Sequence, residues 1–232
     1  MRQVALDTET TGLSPQQGHR LTEIGCVEII DRKITGKRFQ TYLNPERELD
    51  ERAAQITGLN WGMLKDKPKF ISVVDELTNF IGDAELIIHN AQFDLGFLTH
   101  EFNLIKHAWG KLIHELEIID TLGLAREMHP GQRNSLDALC KRYSIDNSHR
   151  NLHGALLDAE ILAQVYLAMT AGQTSLDLSA PSIVKEHEDL NNLFTTGMPI
   201  QVRHSNLKVI YANEQEQAEH AAMLAMIQKK RK

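Results

Sequence analysis

The spacing of apolar and polar positions changes repeatedly along this chain, and each change marks an element. Residues 2–8 (RQVALDT) form a short apolar run closed by Thr10, Thr11 and Gly12, which predicts an opening strand and a turn. Two further runs, 21–31 (LTEIGCVEIID) and 34–43 (ITGKRFQTYL), are rich in β-branched and aromatic residues. Asp31-Arg32-Lys33 separates them, so a hairpin is expected. The period then lengthens: 48–56 and 71–81 carry helical spacing. A buried strand is predicted at 85–89 (ELIIH), a helix at 93–105, a strand at 115–120 (ELEIID), and helices at 121–128, 135–142 and 153–170. Three opening strands followed by alternating helices and strands predict an α/β domain with a mixed sheet, placed at 1–172. Residues 173–205 mix Ser, Pro, Asn and charge without periodicity and read as a linker. In 206–232 order returns as a strand-like LKVIYA and an amphipathic helix pattern, EQAEHAAMLAMIQKK. That piece is too small to bury its own core, which implies a partner.

Composition narrows this picture. A chain of 232 residues with 42% hydrophobic and 24% charged positions supports a globular core. Its net charge of −6 argues against gripping long nucleic acid through many phosphates. A nucleic-acid enzyme with this charge should hold few nucleotides, screen its own carboxylates with metal, or rely on a partner for retention. Cys26 and Cys140 each sit in apolar patterns and read as reduced core residues. No leader-like segment and no membrane-length apolar run is visible, so a cytoplasmic protein is expected.

Three short motifs carry candidate chemistry. In Asp7-Thr8-Glu9-Thr10-Thr11-Gly12, strand alternation points Asp7 and Glu9 the same way. Two neighbouring carboxylates repel unless a cation lies between them, and Mg²⁺ or Mn²⁺ suits such oxygen ligands. A solvated acid pair at a turn is the plain alternative. In His89-Asn90-Ala91-Gln92-Phe93-Asp94 a buried strand ends and Asp94 opens a helix, where an acid also serves as an ordinary helix-dipole partner. In His153-Gly154-Ala155-Leu156-Leu157-Asp158, five helical steps turn by about 500°, so the two ends do not share a helix face. With Gly154 loosening the start, His153 belongs at the helix entrance and Asp158 on the helix. A histidine at a helix start is commonly structural, and the chain has eleven histidines. Taken together, however, four carboxylates can hold two divalent ions roughly 3.5–4 Å apart, the spacing used in phosphoryl hydrolysis. A histidine beside them suits a proton acceptor near neutral pH.

The motifs DxETTG, HNAxFD and HxxxxD, in this order over residues 1–170, resemble the DEDD exonuclease superfamily in its histidine-bearing branch. The stretches LDTETTG, LIIHNAQFD, PGQRNSLDALCKRYSIDNS and LHGALLDAEILAQVYLAMTAGQTS are similar to the family of proofreading subunits of bacterial DNA polymerase III. The resemblance implies an RNase H-like mixed sheet, two-metal catalysis with Mg²⁺ or Mn²⁺, and release of nucleoside monophosphates from a DNA 3′ end. It implies metal ligands at Asp7, Glu9, Asp94 and Asp158 and a general base at His153. It further implies contacts to the terminal nucleotide from Asp7, Glu9, Thr10, Thr11, Gly12, Leu13, Asn90, Phe93 and Asp158. The family's Glu and His-Gly after the third strand are replaced here by Arg52 and Thr57-Gly58. Thr57 keeps hydrogen-bonding capacity, while Arg52 reverses a charge.

The same resemblance gives the tail a reading. Gln173-Thr174-Ser175-Leu176-Asp177-Leu178 is similar to sliding-clamp-binding peptides, with Gln173 for a polar notch, Leu176 and Leu178 for an apolar pocket, and Asp177 between them. Tethering would strengthen so short a contact. Leu207, Val209 and Tyr211 on one strand face, and Met223, Leu224 and Ile227 on one helix stripe, occupy the place of a polymerase-binding tail. Docking of this segment on the protein's own core is the alternative. A small accessory subunit on the exonuclease domain is a further implied partner. Two other readings stand beside this one: an RNA-trimming exonuclease of the same superfamily, and a bridging subunit joining polymerase to clamp.

Overall fold

The computed structural model describes residues 1–148, 150, 152–172 and 215. Its elements in chain order are β1 (Arg2–Thr10), β2 (Leu21–Ile30), β3 (Lys33–Tyr42), α1 (Glu51–Thr57), α2 (Trp61–Leu64), α3 (Phe70–Ile81) and β4 (Glu85–Ile88). There follow α4 (Ala91–Leu104), α5 (Trp109–Leu112), β5 (Ile118–Asp120), α6 (Thr121–Met128), α7 (Leu136–Tyr143) and α8 (Ala155–Met169). The strands form one mixed sheet in the order β3-β2-β1-β4-β5. The β1–β2 and β2–β3 pairs are antiparallel, and the β1–β4 and β4–β5 pairs are parallel. This is the expected α/β mixed-sheet architecture.

Alternation along β1 explains the layering. Val4 and Leu6 face one side, where α3, α4 and α5 close a core with Phe70, Leu77, Phe97 and Phe102. Ala5 faces the other side, where α6, α7 and α8 close a second core with Ala125, Leu139, Leu162 and Val165. Strand β2 is covered on both faces and buried from Leu21 to Ile29, with Thr22, Glu23 and Glu28 buried among its apolar residues. Cys26 and Cys140 are buried free thiols, as expected.

Boundaries shifted where local hydrogen bonds outweigh pattern. The hairpin turn is two residues, not three: Asp31 and Arg32 take φ of 48° and 63°, the left-handed pair that matches strand twist, and Lys33 already pairs with Ile30. The predicted strand at 115–120 shortens to Ile118–Asp120, because Glu115 N–H closes a turn on the Leu112 carbonyl. The Glu117 carbonyl accepts the Leu86 N–H and opens the pairing with β4. The helix predicted at 48–56 starts at Glu51, after an extended Asp50 N-cap. The helix predicted at 153–170 starts at Ala155, after an extended Gly154 at φ −150°. The 3₁₀ turn at Pro15–Gln17, α2 and α5 are too short for periodicity to show. Among the described residues no helix is long and apolar enough to cross a membrane. Apart from residue 215, the linker and the tail, with Gln173, Leu176, Asp177, Leu178, Leu207, Val209, Tyr211, Met223, Leu224 and Ile227, lie outside the described residues.

Candidate active site

Three segments deliver acids to one cleft at the end of the β1–β4 pair. On β1, Asp7 and Glu9 remain partly accessible while Leu6, Thr8 and Thr10 are buried. After β4 the chain turns sharply: Asn90 takes φ 68° and ψ 56° as N-cap of α4, and its N–H donates to Asp120 Oδ1 (3.0 Å). That turn brings Asp94, 4% exposed, into the first turn of α4, where Thr8 Oγ1 donates to Asp94 Oδ1 (2.6 Å). Asp158, 2% exposed, lies in the first turn of α8. His153 stands outside that helix, its backbone N–H donating to the Ile56 carbonyl (3.0 Å), with its ring partly in solvent. All five residues line one cavity of about 300 Å³.

The start of α8 is pressed onto β2. Gly25 lies opposite Asp7, and a Cβ there would sit 2.3 Å from the Ala155 backbone carbon. The adjacent Glu23, 2% exposed, accepts the Ala155 N–H at Oε2 (3.1 Å), and its Oε1 accepts a bond from Gln40 (2.8 Å). A buried carboxylate at a helix-end N–H that has no intrahelical acceptor satisfies that donor and favours the positive end of the helix dipole.

Crowding of acids out of water sets the electrostatics. Desolvation, then the charges of Asp94, Glu9 and Asp158, raise the Asp7 carboxyl well above its ordinary range. Desolvation first, with Asp158 and Glu23 adding repulsion, pushes Glu9 up to about 8. Desolvation likewise raises Asp94 to about 7, against the bond from Thr8. Such a cage binds protons or cations. Ligand atoms of Glu9, His153 and Asp158 lie within 4.8 Å of one another, a spacing that fits a small ion, and carboxylate oxygens are the donors that Mg²⁺ and Mn²⁺ prefer. A cation already stands there: the Arg150 guanidinium, 7% exposed, donates from Nε and Nη2 to both Asp158 oxygens (2.5 and 2.8 Å). It also reaches Asp137 Oδ1 (2.5 Å) and His153 Nδ1 (3.1 Å).

A second cavity of about 320 Å³ shares Thr8, Glu9 and Phe93 with the first. Thr10, Gly12, Leu13, Asp50, Arg52, Ala53, Ile56 and Thr57 complete its wall. Leu13 is 74% exposed, so with Phe93 and Ile56 it offers an apolar surface beside the acids. Arg52 and Thr57 both reach this wall, but the Thr57 hydroxyl already donates to the Ala53 carbonyl (2.9 Å) and accepts the Leu59 N–H (3.1 Å). Asn90 lines the first cavity only. Thr11 lines neither: it is fully buried, pairs its Oγ1 with His19 Nδ1 (3.1 Å) and accepts the Arg20 N–H (3.0 Å). Gly12 is needed for this packing, since a Cβ there would meet the His19 ring at 2.3 Å.

Arg150, Asp137, Ser135, Leu136 and His89 line the cleft without having been singled out as site residues. A cation three positions before His153 is a signal that was available. The approach of Asp137 to Arg150 follows from the packing of α7 on α8, which no local pattern shows.

Comparison with known proteins agrees with this geometry. The protein-family model described as Exonuclease matches residues 4–166. The DNA polymerase III subunit epsilon of Salmonella typhimurium (strain LT2) is 48% identical over 233 residues, covering 99% of this chain and 94% of that protein. Its namesake from Escherichia coli K12 is 47% identical with the same coverage, and that of Rickettsia felis 45% identical over 229 residues, 99% and 98%. Among solved structures, exonuclease X in complex with 5′-overhanging duplex DNA superposes with TM-score 0.58 at 28% identity, covering 73% of this chain and 91% of that one. Escherichia coli exonuclease I with a dA16 oligonucleotide (TM-score 0.62, 16% identity, 73% and 41% covered) shares the fold.

Proposed function

We propose, from the premise that this chain belongs to the exonuclease family and, within it, to the DNA polymerase III epsilon subunits, that Asp7, Glu9, Asp94 and Asp158 hold two divalent cations and His153 is the general base for proofreading. In that reaction a mispaired nucleotide leaves the DNA 3′ end as a nucleoside monophosphate. The observation that carries the assignment is the convergence of four carboxylates and one histidine, from three separate segments, in one cleft beside an apolar cavity.

Two bound ions, Mg²⁺ or Mn²⁺, would polarise the scissile phosphate and stabilise the departing 3′ oxygen. The side chains supply the rest. His153 would take a proton from the attacking water and release it, a role supported by its position outside α8 and its solvent-facing ring. Asp94 and Asp158 are held rigidly by helix first turns, which keeps the ligand geometry preorganised. Phe93 and Leu13 would give the terminal base an apolar surface, and Thr10, Gly12 and Asn90, which line the two adjoining cavities, would border the sugar. Arg52 offers a phosphate-seeking charge where the family has an acid, and Thr57 contributes shape, its hydroxyl being engaged within α1. Thr11 acts through the fold of the turn.

The partner assignments rest on sequence. Gln173, Leu176, Asp177 and Leu178 would seat on a sliding clamp, and residues 206–232 on the polymerase subunit. A small accessory subunit would cover part of the exonuclease domain. Such a protein works in the cytoplasm. The test is a primer with a labelled mispaired 3′ nucleotide. Labelled mononucleotide should appear with Mg²⁺ or Mn²⁺, stop with chelator and resume on re-addition, with an RNA strand degraded more slowly. Hydrolysis that persists in chelator would overturn the metal assignment.

A further inference from the structure

Among the side chains lining the catalytic cleft, Arg150 carries the fixed positive charge, and it is tied to three functional groups at once. Both oxygens of Asp158 accept from its guanidinium in a bidentate pair, the strongest geometry open to arginine. Its Nη2 also faces His153 Nδ1 at 3.1 Å. A guanidinium is a donor only, so Nδ1 must offer its lone pair and the ring proton must sit on Nε2. Asp158 Oδ2 and His153 Nδ1 lie 3.5 Å apart, and one guanidinium nitrogen, Nη2, reaches both. Asp137 Oδ1, on α7 at the cleft's rim, holds Nη1 of the same group.

We propose that Arg150 is a resident counter-cation of this site: it occupies Asp158 and the Nδ1 lone pair of His153 in the metal-free enzyme, and yields Asp158 when divalent ions bind, retained at the rim by Asp137. The inference rests on the metal-cage reading above. Its logic is competitive. Four crowded carboxylates repel one another, and in the cleft without divalent ions the guanidinium offsets part of that repulsion beside its direct pairing with Asp158. A divalent ion approaching Asp158 meets a like charge on the oxygens it needs. The cost of moving Arg150 therefore reduces apparent metal affinity by the fraction of molecules in which it has moved. The same contact keeps the base occupied until the cage is loaded.

The experiment uses the full chain as wild type, Arg150→Gln and Arg150→Lys. Mn²⁺ binding is read from the paramagnetic resonance of the free ion, and thermal unfolding is followed in chelator and in saturating Mn²⁺. Arg150→Gln should melt lower than wild type in chelator, regain most of that loss in Mn²⁺, and bind Mn²⁺ at least about tenfold more tightly. Arg150→Lys, which keeps charge without the bidentate fork, should fall between them. Equal falls in melting temperature with and without Mn²⁺ would mark a purely structural residue and overturn the proposal. So would Mn²⁺ affinity in Arg150→Gln unchanged from or weaker than wild type. Absence of Mn²⁺ binding in all three proteins would overturn the cage itself, an outcome distinct from equal binding in all three.

Discussion

Glu9 and Asp94 show how a site can be costly to its own fold. Their carboxyls sit near 8 and 7 against ordinary values of 4.5 and 3.8, because water is excluded and neighbours repel. Between those values the folded, metal-free protein keeps protons that the unfolded chain has released. The contribution of these groups is therefore fully present below the ordinary values and is lost as pH rises through the folded ones. Urea unfolding in chelator should show stability falling from about pH 5 to about pH 8, and Glu9→Gln should remove part of that slope. An unchanged slope in Glu9→Gln would contradict the assignment of the shift. The acids themselves were legible in the sequence, since strand alternation alone puts Asp7 and Glu9 on one face. The pairing of Arg150 with Asp137 was not, because the two are thirteen positions apart and meet only through tertiary packing.

At the scale of elements, the start of α8 decides whether the acids meet. Gly25 lets the helix backbone approach β2 directly, and Glu23 holds its first N–H. Gly25→Ala should cost about 1–3 kcal/mol, because the new methyl meets backbone that cannot rotate away. Activity should fall further than stability, since Asp158 rides on the displaced helix; denaturant melts and a primer assay on one preparation check both. A variant neutral in both would refute the packing argument. Strands and long helices were readable because their periods persist over many residues. The α2 and α5 segments, of four residues each, were not, and Asp31-Arg32 set the hairpin through two positive φ angles. The turn at Thr11 is a different case. Its motif resembles a nucleotide-binding turn, yet the side chain points inward onto His19.

For the whole molecule, a net charge of −6 and a small cleft suit an enzyme that holds a frayed end briefly and owes its retention to other subunits. The described core closes without the tail, both sheet faces being covered by helices within the first 169 residues. A chain ending at Gly172 should therefore remain folded and active while no longer co-eluting with the polymerase subunit. Co-elution of that truncated protein would place the polymerase contact on the exonuclease domain. The central claim, that the carboxylate cage performs the hydrolysis, is tested most directly by Asp7→Ala assayed on a mispaired primer. The full-length variant should lose mononucleotide release by more than about a hundredfold while still binding the polymerase subunit. Wild-type release by Asp7→Ala, in preparations free of other nucleases, would contradict it.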